Sequence, residues 1–157
     1  MNGFIQQSLT SQYQFLLEEL ENVEDVFLKK HHIPEKWSIH EHLAHLGRYH
    51  EVFFARLNLI LNNEVPILER YVANNDDGFL PWSKLSTVAI ITKTLKKRSE
   101  IFLLLKQLGD WQLKRIGIHP KLGKMTIEDW VSFFILHESH HLYAIFSIKR
   151  RFGGAKS

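Results

Sequence analysis

Apolar residues recur at intervals of three and four positions along four stretches of this chain, a spacing typical of amphipathic helices. The first stretch predicts a helix over residues 5–30. The second predicts a helix over about residues 39–62, and its inward stripe consists of Ile39, Leu43, Leu46, Phe53, Leu57 and Ile60.

Two further helices follow in the second half of the chain. One begins after Ser86 and runs to Leu108, where Gly109 is placed to act as a C-cap. The last begins after Thr126, and a single stripe carries Trp130, Phe133, Phe134, His137, His141, Ile145 and Ile148. No alternating pattern of comparable length predicts a β-sheet.

Capping signals support two of these helix starts. Ser38 and Glu41 form an S-x-x-E capping box before the second helix, and Thr126 with Asp129 forms a similar signal before the fourth. The segment between the second and third helices, from Glu64 to Trp82, is rich in turn residues, and its length is typical of a connection that crosses a bundle or lies over a pocket. The pattern therefore predicts an all-α four-helix bundle with one long crossover connection, in a single domain spanning residues 1–157.

The composition narrows the classes of function. Hydrophobic residues make up 45% and charged residues 24% of the 157 residues, as in ordinary globular proteins. No apolar run approaches the ~20 residues that span a bilayer, and the N-terminus lacks the features of a signal peptide. These features predict a cytoplasmic protein without a membrane segment.

The net charge of +3 has a local origin. Basic residues gather in the LKKRS segment at 95–99 and in the tail, which contains Lys149, Arg150, Arg151 and Lys156. Aromatic residues do not alternate with these lysines and arginines as they would on a base-stacking surface. We interpret the basic segments as solvated surface, and we do not expect nucleic acid as a partner.

Histidine is the residue used beyond its ordinary frequency, with ten copies, while cysteine is absent. A metal site in this chain must therefore be built from His, Asp or Glu. His137 and His141 lie one helical turn apart on the apolar stripe of the fourth helix, where two imidazoles can bind one ion. A third ligand is expected from the second helix, for which periodicity favours His42 and His45 about equally and leaves some claim to His50.

Residues 137–141 also satisfy the H-E-x-x-H pattern of zinc peptidases, in which the Glu is the general base. The pattern is only five residues long, and no Asp, Glu or His follows His141 to complete such a site. The peptidase interpretation is therefore weak, but Glu138, together with His140 and Tyr143, is a candidate for proton transfer beside a metal.

Two longer motifs resemble those of the DinB-like family of metal-binding four-helix-bundle proteins. Residues 37–46, WSIHEHLAHL, look like the family's W-S-x-x-E-x-x-x-H-L at the start of helix two. His119-Pro120 to Gly123, then Thr126 and the H-x-x-H-H of residues 137–141, are similar to a family loop and the helix after it. The resemblance covers nearly the whole chain. The chain departs from a common family continuation, H-H-x-x-Q-I, because Ala144 stands where the glutamine would be.

The resemblance implies a ligand triad of His45, His137 and His141 that holds a divalent ion such as zinc, nickel or iron and leaves coordination positions open. It also implies a homodimer and a small-molecule substrate, with thiol S-transferase chemistry on a low-molecular-weight thiol or hydrolase chemistry as the reaction. We therefore predict a metal-dependent enzyme. The alternative is a binding or interaction module in which the ion links two helices without turnover.

Overall fold

Four long helices dominate the computed structural model, which describes residues 3–153. In chain order the elements are α1 (Gly3–Leu20), α2 (Asp25–Lys29), α3 (Ile39–Asn62), a 3-10 turn (Ala73–Asn75), α4 (Phe79–Ser83), α5 (Thr87–Gln107), α6 (Asp110–Leu113), β1 (Ile116–His119), β2 (Gly123–Thr126) and α7 (Ile127–Phe152). Lys156, part of the basic tail, lies outside the described residues.

The long helices α1, α3, α5 and α7 form a four-helix bundle, as predicted. Helix α3 packs against both α5 and α7, and α1 packs against α7. All six residues of the stripe predicted for α3 are buried in the core. The long segment between α3 and α5 is the predicted crossover connection.

The capping residues determine where the helices begin. The Ser38 hydroxyl accepts from the Glu41 backbone N–H at 3.2 Å, and the Glu41 carboxylate accepts from the Ser38 N–H at 2.7 Å. Thr126 and Asp129 make the equivalent pair of bonds at the start of α7. The predicted starts of α3 and α7 are therefore confirmed.

The prediction for the first helix is wrong at its C-terminal end. Helix α1 stops at Leu20, and α2 is a separate helix of five residues. Between them Asn22 adopts φ 59°, a left-handed conformation that interrupts a right-handed helix and that asparagine tolerates better than most residues. The apolar spacing continues across this break, which is why periodicity alone did not reveal it.

The segment after α5 also differs from the prediction. Gly109 has φ −76°, so it is not a left-handed C-cap, and it instead precedes α6. The segment treated as a simple link contains a hairpin in which β1 and β2 pair antiparallel, with Ile116 opposite Thr126. Strands of four residues are too short to give a visible alternating pattern.

The hairpin also holds the crossover connection in place. The Leu68 N–H donates to the Ile118 carbonyl at 2.9 Å, and the Ile118 N–H donates to the Pro66 carbonyl at 2.8 Å. Residues 70–74, which follow Leu68, line a cavity together with side chains from the interior of α3 and α7. Within residues 3–153, no helix has the length and apolar character needed to cross a membrane.

Candidate metal centre

Three histidine side chains from α3 and α7 meet at one point of the bundle. His137 and His141 stand one turn apart on α7, and His45 faces them from α3. One nitrogen from each ring lies within 4.8 Å of the other two. These are the three residues that the family resemblance implied as ligands.

The spacing of their Nε2 atoms suits a single metal ion. His45 Nε2 lies 3.0 Å from His137 Nε2, and His141 Nε2 lies 3.3 Å from the same atom. Two nitrogens bound at ~2.0–2.1 Å to one tetrahedral zinc ion would lie about 3.3 Å apart. The described residues thus offer three converging imidazole nitrogens at a spacing that a first-row divalent ion can occupy.

Protein contacts alone do not satisfy this cluster. The Nδ1 atoms of His45 and His137 are buried and have no hydrogen-bond partner among the described residues. An unpaired buried polar group costs about 1–3 kcal/mol. Ligation through Nε2 keeps the proton of each neutral ring on Nδ1, so the fit to a metal rests on the three converging Nε2 atoms and not on these Nδ1 atoms.

His42, the other candidate from α3, lies behind the cluster. Its Nδ1 atom is 2.9 Å from Nδ1 of His141, on the side of that ring away from His137. If His141 uses Nε2 as a ligand, its Nδ1 carries the proton and donates to His42. His42 therefore orients His141, while His45 is the α3 residue that faces the cluster.

The cluster histidines are neutral at physiological pH. Burial is the main cause and lowers the pKa of His45 and His137 to about 3 and that of His141 to about 2. Neighbouring histidines lower these pKa values further, because a second positive charge nearby is unfavourable. Neutral rings keep the lone pairs that metal coordination requires.

A cavity of about 450 Å³ opens beside the three histidines, a volume suited to a small molecule. Aromatic rings form much of the wall nearest to them, with Trp37 stacked on His141 and the Tyr49 ring centroid 4.0 Å from that of His137. The crossover connection contributes residues 70–74, as its length had indicated. The remaining lining residues are Arg56, His119 and Phe133.

Glu138, one of the proposed proton carriers, points into the core and does not line the cavity. Its Oε1 atom accepts from Arg98 Nη1 at 2.5 Å and lies 3.4 Å from His50 Nε2. Arg98 in turn donates through Nε to the Leu9 carbonyl on α1. Burial raises the pKa of the Glu138 carboxyl, while the Arg98 charge opposes that shift. This arrangement ties α7 to α5 and α1 and does not present Glu138 as a base to the cavity, as the H-E-x-x-H pattern would require.

The other two proposed proton carriers are exposed. His140 lies on the outer face of α7, and 71% of Tyr143 is accessible to solvent. Neither residue lines the cavity. Each residue of an α-helix is rotated by about 100° from the one before it. His140 and Tyr143 therefore lie off the stripe that carries His137 and His141.

Several residues of the cavity were not identified from the sequence. Tyr49 and Arg56 lie four and eleven residues beyond His45, so they continue the same face of α3 and could have been found by helical spacing. Arg70 and Tyr71 belong to the crossover connection. Nothing in a loop sequence indicates which of its side chains reaches a site formed by two distant helices.

Comparison with known proteins places these features in a family. The family model of the DinB superfamily matches residues 8–145. Three curated relatives are each named "Putative metal-dependent hydrolase". YfiT of Bacillus subtilis is 29% identical over 74% of this chain, BH0277 of Halalkalibacterium halodurans 25% over 77%, and OB0782 of Oceanobacillus iheyensis 24% over 73%. The matches span 66%, 70% and 66% of those three proteins, so the chain covers slightly less than two thirds of YfiT.

A solved structure has the same fold. It belongs to YfiT from Bacillus subtilis, described as a probable metal-dependent hydrolase with an unusual four-helix bundle topology. The two structures superpose with a TM-score of 0.79 at 23% sequence identity, over 96% of this chain and 87% of the other. At this identity the likeness establishes the fold and leaves the activity to be argued from the site.

Proposed function

Because the chain belongs to the DinB superfamily, we propose that it is a metal-dependent enzyme whose ion is held by His45, His137 and His141. The observation that carries the proposal is the convergence of three imidazoles, those of the buried His45 and His141 and the partly buried His137, beside a cavity of about 450 Å³. The relatives named as metal-dependent hydrolases agree with this class of function.

An accessible cavity favours an enzyme over a purely structural metal site. Structural zinc sites are closed by four protein ligands, whereas catalytic sites keep a position for water or substrate. Among the described residues, three histidines form the cluster and no fourth His, Cys, Asp or Glu joins it. A divalent ion bound there supplies Lewis-acid chemistry and acidifies a coordinated water or thiol.

The protein residues around the cluster have separate roles in this proposal. His42 holds His141 in the tautomer and orientation that ligation requires. Trp37 and Tyr49 pack on the ligand rings and exclude water from that side. Residues 70–74 cover the cavity and limit the size of the molecule that enters.

Two reactions fit an open three-histidine site. Hydrolysis is the activity in the relatives' names, and transfer of a low-molecular-weight thiol is the one implied by the family motifs in the sequence. Both need a nucleophile activated near neutral pH beside an electrophilic small molecule. Zinc, nickel and iron all accept imidazole ligands, so the donor set is compatible with each of them.

The alternative is a module in which the ion only links α3 to α7. That module would bind metal with the same residues but would show no turnover and no ligand in the cavity.

A homodimer, a cytoplasmic location and a single domain over residues 1–157 are further predictions from the sequence. Light scattering of the purified protein tests the homodimer prediction, because a dimer has twice the mass of the single chain.

Metal content tests the proposal directly. We expect the untagged protein to contain a stoichiometric divalent ion by elemental analysis, or to acquire one from zinc or nickel salts. His45→Ala and His141→Ala should each lose it, because two imidazoles hold an ion weakly. His140→Ala is the matched control, since it removes an exposed histidine from the same helix and should retain the ion.

Absence of metal from the reconstituted protein, or equal loss in the His140 variant, would contradict the proposed site. Activity is then measured on the loaded protein with chromogenic esters and, separately, with cysteine and a chromogenic electrophile. Metal binding without turnover on either panel would favour the non-catalytic module.

A further inference from the structure

Arg56 is a buried cation without a carboxylate partner. Only 7% of the residue is exposed. Nη1 donates to the Tyr49 hydroxyl at 3.1 Å, and Nη2 donates to the Glu69 backbone carbonyl at 2.6 Å. The guanidinium also lies 5.3 Å from the centroid of the Trp130 ring. In residues 3–153, no salt bridge involves Arg56.

Neutral partners satisfy the hydrogen bonds of a guanidinium but leave its charge uncompensated. Buried charges in proteins are ordinarily paired with an opposite charge, because removing an ion from water is costly. Arg98, the other buried arginine described, follows that rule through its bond to Glu138. Arg56 departs from the rule at the wall of the cavity beside the three histidines.

A second cation lines the same cavity. Arg70, in the crossover connection, is exposed, and the described part of the chain provides no salt bridge for it either. The residues that line the cavity include no aspartate or glutamate. The cavity wall therefore carries positive charge and no acidic side chain.

His119 adds a fixed hydrogen-bond donor to this wall. Its Nδ1 atom accepts from the backbone N–H groups of Lys121 and Leu122, both at 3.1 Å, so the proton of the neutral ring is on Nε2. The ring packs against Trp130 and Phe133, with centroids 5.5 Å away in each case. Burial and then the charges of Arg56 and Arg70 lower the pKa of His119, which indicates that both guanidinium groups act on this ring.

We propose that the substrate of the metal centre carries an anionic oxygen group, a carboxylate or a phosphate, that binds to Arg56, Arg70 and His119. This inference rests on the proposed function for the reacting end of the molecule, which would lie toward His45, His137 and His141. Guanidinium groups bind such oxyanions through paired N–H···O bonds, and the His119 Nε2–H supplies a further donor. The anion compensates the charge of Arg56 that the protein leaves unpaired.

Anion affinity of the full-length, as-purified protein tests the inference. Inorganic phosphate and succinate are titrated separately by isothermal titration calorimetry, on samples whose metal content is measured. We expect one of the two to bind at millimolar concentration, and the tighter one identifies the chemical group. Arg70→Gln should weaken that binding by about tenfold, since it removes one charge-assisted bond pair.

Arg70→Gln should leave the fold intact, because this exposed side chain makes no salt bridge in the described structure. Arg150→Gln is the matched control: it removes the same charge from an exposed position near the end of α7, outside the cavity, and should retain wild-type affinity. Arg56→Lys keeps a charge but loses the planar fork, and we expect weaker binding at an unchanged circular dichroism spectrum.

Failure of both anions to bind, or equal affinity of wild type and Arg70→Gln for the anion that binds, would overturn the inference. An anion bound directly to the metal ion would bind equally well to wild type and Arg70→Gln, and its binding would be lost in His141→Ala. The two variants therefore distinguish binding by the metal from binding by the arginine site. Absence of metal from the reconstituted wild-type protein, together with Arg70-dependent anion binding, would contradict the proposed function and leave the anion site standing.

Discussion

His42 and His141 are joined through their Nδ1 atoms, which lie 2.9 Å apart between α3 and α7. One of the two nitrogens must carry the proton, and the proposed ligation by His141 Nε2 would place it on His141. The contact therefore couples the orientation of His141, a proposed ligand on α7, to a residue on α3 that lies outside the three-histidine cluster.

Replacing His42 should weaken metal binding without abolishing it. We expect His42→Phe to lower the affinity for zinc by about 10- to 100-fold, because loss of a partner that orients a ligand has effects of this size. Competition with a chromogenic chelator measures the affinity, and stoichiometry at saturating zinc should stay at the wild-type value. His140→Phe is the control with unchanged affinity. Wild-type affinity in His42→Phe would show that this contact does not orient His141.

The buried pair of Arg98 and Glu138 should contribute to stability and not to chemistry. Arg98→Met leaves the Glu138 carboxylate buried without its partner, and breaking such a pair costs about 3–5 kcal/mol of unfolding free energy. Urea denaturation measures the loss. Lys97→Met removes the neighbouring, more exposed salt bridge to Glu100 and should cost less than about 1 kcal/mol.

The substitution Glu138→Gln distinguishes a structural role of Glu138 in the core from a role as a catalytic base. If the variant keeps its metal and its stability but loses turnover, the assignment of Glu138 to the core is contradicted. We expect the opposite result, in which the free energy of unfolding falls and the activity of the folded fraction is retained.

His50 should make the protein less stable as the pH falls. Burial, followed by the charge of Arg98, lowers its pKa to about 3, against an ordinary value of 6.5. Between these two values the unfolded chain binds a proton that the folded protein does not, so stability rises with pH and is lost on acidification. The contribution of this one group between pH 7 and pH 5 is about 2 kcal/mol.

Urea unfolding of the wild type and of His50→Gln at pH 7 and pH 5 measures this contribution. The wild type should lose about 2 kcal/mol more than the variant over that interval, because glutamine does not titrate. Equal losses in the two proteins would mean that His50 does not bind a proton on unfolding. Both proteins contain the other histidines, so the contributions of those histidines to the pH dependence of stability cancel in the comparison.

Local sequence signals predicted most of the bundle. Ser38 and Thr126 begin α3 and α7 because their hydroxyls accept backbone N–H groups that have no helical partner, and those bonds involve residues only three positions away. The break at Asn22 and the hairpin of β1 and β2 were missed. The first interrupts an apolar spacing that continues on both sides, and the second depends on pairing between two strands too short to show a period.

The sequence by itself determined that His137 and His141 share one face of a helix, because a separation of four residues is a property of helix geometry. Periodicity left His42 and His45 open and only the family resemblance implied His45; the tertiary structure shows that His45 faces the cluster while His42 supports it from behind, since that choice depends on the rotation of α3 against α7. The inward position of Glu138 and the place of Arg70 at the cavity were decided in the same way. Each depends on contacts between residues far apart along the chain, which no local pattern records.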